Sequence, residues 1–287
     1  MITAELAILA AISGFTIFLG LPVAIMKRVT AKVKGFLNAI TIGVLIFILI
    51  EVLPQAKTYT EAALVPNVSN GIPYIIALIS GLALGIFGLV VYEMRFIKVR
   101  QRKKSSLNLG EAQAAGATAL TEMTPKPISV SGIGAEEARQ LALTIAIGIG
   151  VHNFTEGLAI GQAFISAGTL AISYLLIVGF AIHNSTEGFG IAAPMAGYTP
   201  SAKYLAALGL IGGTPTFVGA LVGAIWQTNE IVLTFVLALA AGALIYIISG
   251  MFYVARRQTS NQLFMLGLFV GFIVAYGTDL WLHVMGF

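Results

Sequence analysis

Apolar residues run along this chain in blocks of roughly 20, each long enough to cross the ~30 Å hydrocarbon core of a bilayer as a helix. Cut at the polar breaks, the pattern predicts eight helices, over 4–26, 36–53, 72–95, 141–163, 170–193, 203–226, 231–254 and 262–285. Inside the blocks, small residues recur at helical spacing, as in GLALGIFG and GTPTFVGALVG, which lets helix backbones approach closely. The first block lacks the basic leader and small-residue cleavage site of a signal peptide and is expected to persist as a helix. One break is long. From Lys98 to Gln140 it opens on basic residues and continues in Ser, Ala, Gly and Pro, a composition too poor in large apolar side chains for a core. The expectation is an all-α integral membrane protein, eight transmembrane helices in a 3+2+3 arrangement. It forms a single domain over 1–287, with a mobile loop at about 98–140.

Composition agrees with the pattern. Hydrophobic residues make up 58% and charged residues 10%, against about a quarter charged in soluble domains. The net charge of +4 does not point to nucleic acid, because the basic residues are sorted by loop. Fifteen of the sixteen lysines and arginines fall on alternate connections, with Lys57 alone on the other side. Basic loops mark the cytoplasmic face, so both termini are expected outside and the long loop inside, in a multi-pass protein of the cell membrane. Cysteine is absent, so any metal must be held by nitrogen, oxygen or thioether groups.

The chemistry sits in a repeat. HNFTEG, His152 to Gly157, returns thirty-one residues later as HNSTEG, His183 to Gly188. Residues four apart share a helix face, so His152 stacks on Glu156 and His183 on Glu187, while Asn153 and Asn184 open a second edge. The connection around Gly168 is short, which makes helices four and five antiparallel neighbours and brings both motifs near the midplane. A carboxylate there costs about 2.5–3.5 kcal/mol unless it is paired, and no basic residue lies near either glutamate in the sequence. Polar glue between helices is the plainer reading. Two copies of the same His-Asn-x-x-Glu face favour a divalent cation, whose charge two carboxylates balance once. A second ion would leave charge uncompensated in low dielectric. Imidazole with carboxylate suits zinc, iron(II), manganese or cobalt better than magnesium or calcium.

HNFTEGLAIG in helix four and HNSTEGFGIAAP in helix five resemble the paired signature helices of the ZIP family of divalent metal-ion transporters. GVLIFILIEVLP, GGTPTFVGALVG and ALAAGALIYI in helices two, six and seven are similar as well. The resemblance implies an eight-helix dimeric carrier, with a metal path between helices two, four, five and six, moving zinc, iron or manganese toward the cytoplasm. It implies His152, Asn153 and Glu156, with His183, Asn184 and Glu187, as metal ligands, the metal being transported substrate; no prosthetic group is expected. Thr155 and Thr186 stand where many members have proline, and are expected to bond a carbonyl one turn back. Thr216 stands where members with two metals have a helix-six glutamate, and Leu45 or Val44 where some have methionine. Glutamates late in helix seven are replaced around Ser249 and Gly250.

Glu51 precedes a proline in helix two, as an entrance ligand of the path or as an interfacial carboxylate. Asp279 and His283 share a face in the last helix and read as a packing pair. Glu93 is expected to pair at the basic edge, and Trp226, Tyr253 and Trp281 to anchor the interfaces. Two rival functions remain: a membrane metallohydrolase, which would need a base or nucleophile that the motifs do not supply, and a sensor or structural protein that binds metal without flux.

Overall fold

Lipid offers no hydrogen bonds to backbone groups, so the apolar blocks must wind into helices. The computed structural model describes residues 4–65, 67–98, 134–167, 183–226 and 229–284. Eight α-helices lie among them: α1 (Ala4–Phe15), α2 (Ala31–Leu64), α3 (Val68–Tyr92), α4 (Ala135–Ala167), α5 (183–192), α6 (Ala202–Ile225), α7 (Glu230–Gln258) and α8 (Asn261–Val284). Seven helical runs of the described residues are long and apolar enough to span a membrane. The rest of the expected 170–193 helix, and most of the expected loop at 98–140, lie outside the described residues.

Polar side chains start the helices where the sequence offers them. Thr30, Asn67, Ser201 and Asn229 each cap a helix by accepting from a backbone N–H two or three residues on. The first expected helix tightens into 3₁₀ turns over Thr16–Leu19 and Leu21–Ile25. Pro22 there has no N–H to donate into an α-helical ladder. The second expected helix runs eleven residues beyond 53, to Leu64, straight through Pro54. Pro54 is exposed and removes one donor, and the flanking turns hold. With 34 residues, α2 is about 51 Å long, well past the bilayer core. Its end folds back through Val65 into α3, where Leu64 covers Gly71, and Lys57 pairs with Glu61 at 3.2 Å on the exposed hairpin.

Two sets of helices pack most heavily. In one, α6 lies against α4 and α1; in the other, α3 and α2 lie against α7, and α8 lies against α2. Contact between α4 and α7 joins them. The crossings are made by glycines so close that a Cβ would collide with a facing carbonyl, and their positions obey a rule. Gly14 and Gly213 abut each other; a Cβ on Gly157 would strike the carbonyl of Thr216, and one on Gly188 that of Ile17. Gly219 meets Phe154, and Gly20 meets Ser185. A shift of 199 residues takes 14, 17 and 20 to 213, 216 and 219, while a shift of 31 takes 154 and 157 to 185 and 188. The second set follows suit: Gly85 meets Leu239 as Gly271 meets Ile40, and Gly242 meets Leu82 as Gly43 meets Leu268. Here 199 relates α2 to α7, and 186 relates α3 to α8. The two outer triplets are therefore one unit placed twice, in opposite orientations, around the α4–α5 pair, as in many membrane carriers.

Candidate metal site

The HNxTEG repeats meet at the centre of this duplicated frame. Asn153 donates through Nδ2 to the carbonyl of Gly212 at 2.9 Å, and Asn184 to that of Ser13 at 2.8 Å. Those two bonds are related by the same shifts, 31 and 199. They tie α4 to α6 and α5 to α1 at equivalent heights. Thr155 Oγ1 donates to the carbonyl of His152 at 2.6 Å and Thr186 Oγ1 to that of His183 at 2.7 Å, as expected. The helix α4 stays unbroken through Thr155. Each threonine hydroxyl finds an acceptor in its own turn, so the buried ladder needs no outside partner.

With both helices pinned, four side chains converge. Nε2 of His152 lies 3.1 Å from Oε1 of Glu156 and 3.7 Å from Oε1 of Glu187. Nε2 of His183 lies 3.3 and 3.4 Å from the same two oxygens. Ligand atoms of the four residues all fall within 4.8 Å of one another. In a tetrahedral site with bonds near 2.0–2.1 Å, neighbouring ligand atoms are about 3.3–3.4 Å apart. The observed separations bracket that edge. Despite them, the two Nε2 atoms and both Glu187 oxygens make no aligned hydrogen bond. Their ligand atoms crowd around one shared point, as the ligands of a single ion would. His152 is 4% exposed and Glu187 1%, so leaving them unpartnered would carry a desolvation cost of several kcal/mol. A cation at the shared point removes it. The residues present thus fit one divalent ion.

Asn153 and Asn184, whose donors are committed to backbone, keep Oδ1 buried and unpartnered beside this point. Thr216 is fully buried with an unpartnered hydroxyl; it stands at the α1–α6 crossing against Gly14, away from the cavity that reaches the four ligands. That cavity, about 170 Å³, is lined by Glu51, Gln55, His152, Glu156, His183 and Asp279 among others. Glu51 lines this cavity, on a stretch of α2 that continues past it to Leu64. Asp279 was expected to pack within its own helix. It lines the same wall, within hydrogen-bonding reach of Glu51, because α8 packs along α2. The side chain of His283 lies outside the described residues. Glu93 has Tyr246 of α7 as a hydrogen-bond donor, a partner that its basic neighbours in sequence concealed. Trp226, Tyr253 and Trp281 are exposed, as interface anchors would be.

Gln55 and Asp279 were the residues sequence reading missed as parts of the site. Gln55 carries no motif signal, being four residues past Glu51 on the same face and beyond the expected helix end.

Among curated proteins, none matches this chain. Residues 94–279 match the family model described as ZIP zinc transporter, about two-thirds of the length. Members of that family are transporters of divalent metal ions rather than enzymes. Both α4 and α5 lie inside the matched segment. The eight-helix membrane architecture, the metal-competent His/Glu group and the family match agree, and the chain belongs to the ZIP zinc transporter family.

Proposed function

We propose that this chain moves zinc, with iron(II) or manganese as alternative substrates, across the cell membrane toward the cytoplasm. The ion rests on His152, Glu156, His183 and Glu187, with Asn153 and Asn184 contributing amide oxygens as it enters or leaves. One observation carries the reading: ligand atoms of four side chains from α4 and α5 lie within 4.8 Å of one another, and three of those residues, His152, Glu156 and His183, line a cavity. A static structural metal would need no such access. Glu51 and Asp279 supply negative charge along the cavity and draw a cation in from the end opposite the basic loops. The two glutamates balance the ion's charge, so the loaded site is neutral and a single metal suffices. A second glutamate from α6 is not needed, and Thr216 leaves that place uncharged. The whole chain acts as one transport domain.

Uptake of zinc, manganese and iron(II) into liposomes holding the purified protein tests this directly. Metal should accumulate with the natural chain and fall to the level of protein-free vesicles with His152→Ala. Binding without flux in folded protein would instead assign a sensor, and a turnover product would assign a metallohydrolase.

A further inference from the structure

The duplicated frame carries a prediction about the side of the molecule that is shut. Under the shifts of 199, 31 and 186, the cavity residues away from the HNxTEG repeats, such as Gln55, Ala159 and Leu237, have equivalents at the basic end, and the two ends differ. Ala159, in the cavity wall, is exposed, whereas its equivalent Gly190 is buried with Thr41 of α2 packed where a side chain would stand. Gln55 is exposed; its equivalent Val254 is half-buried. Leu237 borders the cavity, but its equivalent is Asn38, 1% exposed, which donates through Nδ2 to Oε1 of Gln258 at 3.0 Å. Gln258 in turn is 6% exposed. The bond ties the start of α2 to the end of α7, and the equivalent positions on the open side, Leu237 and Tyr59, cannot form it.

We propose that Asn38 and Gln258 are the positioning residues that decide which side the metal site faces: their bond holds the basic end shut, and its release opens a path along Val254 and Gly190. The proposal rests on the transport reading, and deepens it by naming what sets the direction of access. The geometry suits a reversible tie. Asn38 makes a single side-chain bond and keeps Oδ1 buried without a partner, so the closed state is held without being locked. Exchanging the conformations of two equivalent halves would close the Gln55 side as the Val254 side opens.

The natural chain has no cysteine, so single thiols can report each side. Q55C and V254C variants of the full chain in nanodiscs, where both faces meet solvent, are labelled with a membrane-impermeant maleimide. In the natural background Q55C should react fast and V254C slowly. N38L, which installs the residue type found at the open side, should raise the V254C rate roughly five- to tenfold and lower the Q55C rate, the population change expected from one buried hydrogen bond. If N38L disturbs folding, both rates rise together. N38L/Q258L then decides, because removing both partners leaves no orphaned polar group. Opposite changes at the two thiols in either background uphold the latch. Parallel changes, or none, in both overturn it. Labelling needs no metal flux, so a chain that fails to transport could still pass this test, and a transporting chain could fail it.

Discussion

In the proposed metal site, Glu156 and Glu187 would do two things at once, holding the ion and cancelling its charge. Replacing both by glutamine keeps the shape and removes the cancellation, so E156Q/E187Q should lose more than the ~10–100-fold in affinity that outer-shell changes alone cost, as measured by calorimetric zinc titration. Survival of tight binding would move the site elsewhere. Protons compete for the same atoms. A protonated imidazole has no lone pair to give, so metal affinity is full above the histidine titration range and falls as pH drops through it. With two histidines, the fall approaches ~100-fold per pH unit, readable from zinc titrations between pH 5 and 7.5. An affinity flat over that range would exclude imidazole ligation. The convergence of His152, Glu156, His183 and Glu187 was legible in the sequence because the repeat doubled a weak motif. Asp279 was not, since only the packing of α8 on α2 brings it to Glu51.

Helices in lipid gain little from burying apolar surface against one another, so close backbone contact has to hold them. The glycine crossings do this, and the duplication makes them a matched set. Gly157→Val and Gly188→Val each push a side chain into the carbonyl of the facing helix, at Thr216 and Ile17. Each should destabilise the protein by about 1–3 kcal/mol or more. Thermal unfolding in detergent should show similar losses for the two variants, with a conservative change at solvent-open Gly250, which has nothing within contact distance, close to neutral. Unequal losses at 157 and 188 would break the equivalence. Among the described residues, apolar runs placed the helices but not all their ends: α2 runs past its expected end at 53, since a proline costs one hydrogen bond and ten residues follow Pro54 to recover it. The glycine spacing announced packing, but not partners. Which glycine faces which carbonyl depends on helices placed far apart in the chain.

At the scale of the molecule, the halves match in spacing far better than in residue identity, which is why the duplication emerges from the contacts rather than from the sequence. The ends differ: acids and a cavity at one, an amide pair and packed glycine at the other. The shifts differ as well. Going from 199 to 186 means that the α2–α3 connection has thirteen residues with no counterpart between α7 and α8, and they form the hairpin where Lys57 pairs with Glu61. For imaging, this matters more than its size suggests. A 30.1 kDa protein sunk in a micelle offers particle alignment almost nothing to grip. The hairpin has no counterpart at the other end, and an antibody fragment seated on it would mark which way each particle points.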